Sequence, residues 1–265
     1  MNNNPIGIFD SGVGGLTVLN AFSKVAPKES ILYLGDTARV PYGNKSKAKI
    51  EEFSYEITQW LISQGCKLII IACNTASSLA LEKLQSMFNI PIIGVIQPGV
   101  TAAIQSTKNK KIAVLGTYAT INSDVYRAAI EKKDNRISVI SKACPLFVHL
   151  AEEGMMTGSI PESIANLYLD DIKNTQSDTI ILGCTHYPLL KDIIKKVLNS
   201  DITLIDSGEA TAHYVAGLLK SKNLMTDNNK VSINCFVTDS VSSFKKIAFK
   251  FVDAKIDDIN KVDIK

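Results

Sequence analysis

Two cysteines stand where a thiol can give or take a proton. Cys73 closes the run Ile69-Ile70-Ile71-Ala72 and opens into Asn74-Thr75-Ala76-Ser77. Cys184 closes Ile180-Ile181-Leu182-Gly183 and opens into Thr185-His186-Tyr187-Pro188. Each run is β-branched and apolar, which reads as a buried parallel strand, and the small polar residues after it read as helix N-caps. In an open α/β sheet that junction faces the ligand crevice. A thiol there lies beside backbone N–H groups and the positive end of a helix dipole, so each position is expected to favour the thiolate. Two thiols flanking one carbon form an acid–base pair. One removes a proton from one face, the other delivers a proton to the opposite face, and a stereocentre inverts. The bland alternative is a cysteine that serves as a small buried apolar residue, and that is the reading for Cys66, Cys144 and Cys235.

Other residues around these strands can bind or polarise a small anion. Asp10-Ser11-Gly12-Val13-Gly14-Gly15 lies after a strand and before a helix, the setting of a dinucleotide-binding turn. That reading fails on spacing: G-x-G-x-x-G beginning at Gly12 needs glycine at position 17, where Thr17 stands. The remaining use is direct, with Asp10 pairing an ammonium group or a base and Ser11 donating to a carboxylate. Asn74, Thr75, Thr185 and His186 cap helices in the plain reading, and the same donors make a carboxylate site. His186 is two residues from Cys184, near enough to poise its proton. Glu152 and Glu153 read either as a solvated helix end or as an acid serving the site.

The elements that must position these groups alternate strand and helix. Strands are expected at residues 6–10, 31–35, 68–72 and 92–96, with helices at about 16–25, 46–63 and 76–88. Gln97-Pro98-Gly99 closes the fourth strand. The pattern then restarts: strands at 112–117, 137–140, 179–183 and 202–205 enclose helical segments from residue 118, at 146–155, at 161–174 and at 189–198. Aligning Ile6–Asp10 with Ile112–Gly116, and the two cysteine-terminated strands with each other, keeps nearly the same element order. An internal duplication follows. A helix from 208 to 220, a strand at 231–237, a helix at 243–251 and a short strand near Ile256 complete the chain. The expected fold is α/β: two pseudo-symmetric domains, each a mostly parallel sheet flanked by helices, with the site in the cleft between them. Pro98-Gly99 and Asp206-Ser207-Gly208 are the expected crossings. Residues 1–97 with 208–265 then form one domain and residues 98–207 the other, the C-terminal segment returning to the first.

Composition narrows the classes. The 265 residues are 46% apolar and 21% charged, and a formal charge of +3 with scattered basic residues argues against nucleic acid or an anionic membrane as partner. No run of eighteen apolar residues exists, so no membrane-spanning helix is expected. The polar start Met1-Asn2-Asn3-Asn4-Pro5 lacks a signal-peptide pattern, and the expected location is the cytoplasm. Five cysteines without a C-x-x-C pair argue against a disulfide framework and structural zinc, and three histidines at no ligand-like spacing argue against a metal.

Four blocks carry a resemblance: Phe9-Asp10-Ser11-Gly12-Val13-Gly14-Gly15-Leu16-Thr17, Gly35-Asp36-Thr37-Ala38-Arg39-Val40-Pro41-Tyr42-Gly43, Ala72-Cys73-Asn74-Thr75-Ala76 and Leu182-Gly183-Cys184-Thr185-His186-Tyr187-Pro188-Leu189. In order and spacing they resemble the signature blocks of the bacterial glutamate racemase family, and the resemblance covers essentially the whole chain. It implies cofactor-independent interconversion of L- and D-glutamate by two thiols, supply of D-glutamate for peptidoglycan, and a homodimer. It also implies that Cys73 deprotonates D-glutamate and Cys184 deprotonates L-glutamate. Asp10, His186 and Glu152, rather than Glu153, match auxiliary positions. Asp10 and His186 again, with Ser11, Pro41, Tyr42, Gly43, Asn74, Thr75, Thr117, Thr120 and Thr185, match substrate-binding positions. The chain departs from the family's pattern at His149 and in Val237-Thr238-Asp239-Ser240. Three other readings stay open: an aspartate or hydantoin racemase sharing the thiols, a two-lobed amino-acid-binding protein without catalysis, and a hydrolase using one cysteine as nucleophile.

Overall fold

Strands buried on both faces organise the molecule. In the computed structural model, which describes residues 2–198, 201–227 and 230–264, Ile6 and Ile8 of the first strand pack into one core while Phe9 packs into another. The same alternation sends Leu68 and Ile70 to one side and Ile69 and Ile71 to the other. A period of two with both faces apolar is what helix layers on each side of a sheet require. Each fully buried isoleucine contributes about 1.5–3 kcal/mol.

The first run comprises β1 (Ile6–Asp10), α1 (Leu16–Val25), β2 (Ile31–Gly35), α2 (Lys47–Ser63), β3 (Leu68–Ile71), α3 (Asn74–Leu79), α4 (Leu81–Met87) and β4 (Ile92–Gly94). Helix α5 (Ile96–Ser106) leads into the second: β5 (Lys111–Gly116), α6 (Tyr118–Asn122), α7 (Val125–Lys133), β6 (Ser138–Ala143), α8 (Leu146–Glu153), α9 (Ser159–Lys173), β7 (Thr179–Gly183), α10 (Lys191–Leu198) and β8 (Thr203–Asp206). The chain closes with α11 (Ser207–Ser221), β9 (Ile233–Val237), α12 (Val241–Ala248) and β10 (Asp258–Lys261).

Two parallel sheets result, with strand orders β10-β9-β2-β1-β3-β4 and β6-β5-β7-β8. The segment β2-β1-β3-β4 repeats as β6-β5-β7-β8, so the duplication is one of topology. Cys73 follows β3 and Cys184 follows β7, the matching strands of the two orders. Strands β9 and β10 extend the first sheet from its β2 edge.

Several expected boundaries move. The strand read at 92–96 stops at Gly94, and Gln97-Pro98-Gly99 sits in the first turns of α5. Proline is accepted there because the first-turn N–H groups have no intrahelical partner. The Pro98-Gly99 crossing is therefore helical, and a Cβ at Gly99 would lie 3.3 Å from the Ser207 Cβ where α11 begins. The helix read at 76–88 starts directly after Cys73 and breaks at Ala80. The segment after residue 118 breaks at Asp124, held at φ +53°. Cys184 opens not into an α-helix but into a turn and a 3₁₀ segment at Tyr187–Leu190. Among the described residues no helix is long and apolar enough to cross a membrane.

Candidate active site

At the β1 end, the Gly12 N–H donates to Asp10 Oδ2 at 3.0 Å and the Tyr33 hydroxyl donates to the Gly12 carbonyl at 2.6 Å. These bonds fold the glycine-rich turn over a wholly buried carboxylate. Closeness requires glycine at position 14, where a Cβ would lie 2.3 Å from Thr185 Oγ1 and 2.6 Å from His186 Nδ1. Thr185 and His186 follow β7 of the other sheet, so the two halves meet at this glycine.

Cys73 and Cys184 both line one cavity of about 200 Å³, each with only 6% of its surface exposed. Cys73 Sγ lies 3.8 Å from Ser11 Oγ. Cys184 Sγ lies 3.7 Å from His186 Nδ1, and His186 Nε2 lies 3.0 Å from Glu152 Oε1. Thr185 Oγ1 reaches Asp10 Oδ1 at 3.4 Å, tying the strand end of one sheet to that of the other.

Charge is distributed unevenly. Burial pushes the Cys73 thiol up to about 12, with the Asp10 charge adding to it. The thiolate-favouring helix start expected at Cys73 is thus outweighed: α3 has six residues, and desolvation penalises the anion more. Burial also raises the Asp10 carboxyl, against the opposing pull of His186. Burial works against a charge on His186, but Cys184 and Glu152 hold its pKa at about 10. Glu152 is held below the usual carboxylate range because the His186 contact outweighs its own burial. An imidazolium between a sulfur and a carboxylate is the state these contacts favour at neutral pH.

Of the residues singled out from sequence, Ser11, Pro41, Tyr42, Gly43, Cys73, Asn74, Thr75, Thr117, Glu152, Cys184, Thr185 and His186 line the cavity. Asp10 and Thr120 lie behind its wall. Asp10 sits under Gly12 and Thr185, while Thr120 Oγ1 contacts Thr75 Oγ1 at 3.3 Å and Thr117 Oγ1 at 3.1 Å. Tyr42 is present without its hydroxyl, which donates to buried Asp36. Asn74 is committed to a support layer, its Oδ1 accepting from Tyr126 at 2.6 Å and its Nδ2 donating to Ser207 at 3.4 Å. Glu153 is exposed and does not line the cavity.

Val40, Asn44, Tyr118, Pro145, Val148 and His149 also line the cavity and were not identified as site residues from sequence. The last three had a signal. Counted back from Glu152 they fall three, four and seven residues earlier, one face of a helix.

A two-sheet α/β chain with paired thiols at matching strand ends defines a class of enzyme that works on a small molecule between its halves. Residues 16–215 match the Asp/Glu/Hydantoin racemase family, and the chain belongs to that family. It is 53% identical over 242 residues to a protein named glutamate racemase from Persephonella marina, covering 91% of each chain. Among solved structures it is similar to glutamate racemase isoform RacE1 from Bacillus anthracis, with a TM-score of 0.96 and 40% identity over all of both chains. It is also similar to the glutamate racemase of Francisella tularensis in complex with D-glutamate, with a TM-score of 0.93, 38% identity, and 99% and 98% of the two chains covered.

Proposed function

We propose that this enzyme interconverts L- and D-glutamate by direct proton transfer at the α-carbon, with Cys184 the base toward L-glutamate and Cys73 the base toward D-glutamate. One observation carries the reading: the thiols end matching strands of two sheets and line a single cavity. Each has its own support, Asp10 and Ser11 behind Cys73, His186 and Glu152 behind Cys184.

The α-C–H is far less acidic than a thiol, so the cavity must stabilise negative charge as it grows on the α-carboxylate. The hydroxyls of Ser11, Thr75, Thr117 and Thr185 supply donors, and the turn at Pro41-Tyr42-Gly43, which abuts Thr117, also lines the cavity. In the L-to-D direction the Cys184 thiolate, paired with the His186 imidazolium, first takes the α-proton, and the Cys73 thiol then gives its proton to the other face of the resulting carbanion. Burial keeps Cys73 protonated for that delivery. Turnover leaves the two sulfurs with exchanged protonation states, and no electron sink beyond the protein's own donors is used.

The same reading assigns a division into residues 1–97 with 208–265 and residues 98–207, supported by which strands join which sheet. It also assigns supply of D-glutamate for peptidoglycan, supported by the names of the relatives, and, on the motif resemblance alone, a cytoplasmic homodimer. The deciding experiment incubates the purified enzyme with L-glutamate in deuterium oxide, following optical rotation and deuterium at Cα. Loss of rotation with deuterium entering Cα is expected; unchanged rotation without exchange overturns the proposal. Cys73→Ser and Cys184→Ser should each stop full inversion, and near-parent rates in either variant would refute the two-thiol scheme.

A further inference from the structure

The segment after α12 reaches both members of the pair behind Cys184. Phe251 packs its ring against His186 with centroids 5.6 Å apart and planes at 87°. One residue earlier, Lys250 Nζ donates to the Glu152 carbonyl at 3.2 Å, at the end of α8. The fit is close: a Cβ at Gly154, the left-handed residue ending α8, would lie 2.7 Å from Lys250 Nζ. Phe251 is 3% exposed and belongs to the core of the first sheet, which also takes Ala151 from α8. A segment rooted in one half therefore grips two residues of the other.

His186 needs such a contact. Its Nε2 bond runs to a carboxylate whose side chain is 35% exposed, and its Nδ1 contacts, at 3.4 and 3.7 Å, are long. These polar contacts do not by themselves set the plane of the ring, and an edge-to-face aromatic neighbour does. We propose that Lys250 and Phe251 form a positioning brace for the Cys184 half of the site, Phe251 fixing the plane of the His186 ring and Lys250 fixing the end of α8 that carries Glu152. The proposal rests on the two-thiol reading above, in which Cys184 is the base toward L-glutamate.

Rates alone do not test it. The enantiomers are equal in free energy, so any loss in kcat/KM is the same in both directions. Deuterium isotope effects measured with L- and D-glutamate labelled at Cα separate the two halves. Phe251→Leu should lower kcat/KM about tenfold in both directions. It should raise the isotope effect for L-glutamate, whose proton leaves to Cys184, and lower it for D-glutamate. Phe251→Tyr keeps the ring and should hold both isotope effects near the parent's.

Lys250→Met changes an exposed side chain, leaves the core intact, and should move both effects in the same directions by a smaller amount. It carries the test if Phe251→Leu does not fold. A mere loss of folded enzyme lowers kcat/KM and leaves isotope effects where they were. Unmoved isotope effects in the folded variants, or a shift of the opposite sense, overturn the brace while leaving the two-thiol reading standing. Full racemisation by Cys184→Ser overturns that reading, and the brace with it.

Discussion

Gly14→Ala offers a sharp test of how the two halves meet. The backbone at Gly14 is not among the left-handed glycines, so alanine is conformationally acceptable there. The conflict is steric: the new methyl would lie 2.3 Å from Thr185 Oγ1, 2.5 Å from His186 Cε1 and 2.6 Å from His186 Nδ1, where ordinary contact begins near 3.4 Å. Gly14 has little room to retreat, since its carbonyl accepts from the Thr17 N–H at 3.0 Å as α1 begins. The Thr17 hydroxyl also lies 2.9 Å from that carbonyl and 3.0 Å from that of Thr185. Thr185 and His186 must therefore shift by about 1 Å, and a displacement of that size in a positioned acid–base group costs about 10²-fold in rate. Polarimetry with L-glutamate gives the rate, and near-ultraviolet circular dichroism confirms the folded state. A folded Gly14→Ala enzyme with parent-like kcat would refute the claim that His186 acts from the position it holds here.

Three further outcomes follow from the same structure. His186, ordinarily at 6.5, is held at about 10, so the fold favours its protonated form. That stabilisation is complete below pH 6.5 and drains away as pH rises through 10; the gap in unfolding free energy between the parent and His186→Asn should narrow across that window, and a flat gap would contradict the assignment. Lys67→Met should destabilise by about 3–5 kcal/mol in denaturant titration, because it leaves Glu29 buried without its partner. The pair is separated by 2.7 Å, with side chains 1% and 0% exposed. Gly217→Ala, in the middle of α11 with nothing within 4 Å of the added methyl, should raise stability by about 0.5–1 kcal/mol in the same assay.

Much of the fold was legible because its strands are buried on both faces. Ile69-Ile70-Ile71 and Ile180-Ile181-Leu182 cannot be read as loops, and helical periodicity between strands implies parallel crossovers. Breaks were less legible. The stops at Ala80 and Asp124 lack proline or glycine, and Pro98 reads as punctuation although the first turn of a helix accepts it. Residue type misled at Cys73, where an exposed helix start would have lowered the thiol but burial raises it; nor could it say that the Tyr42 hydroxyl is committed to Asp36.

By itself the amino-acid sequence determined the two cysteine-ended strands, the repeated order of elements and the residue types at each strand end. These are local properties, written in periodicity and spacing. Only the tertiary structure decided that Gly14 touches His186, that Thr75 reaches Thr117, and that Phe251 lies against the ring behind Cys184. Those pairs are 172, 42 and 65 residues apart in the chain, and no local pattern encodes a contact that exists only once two sheets have packed.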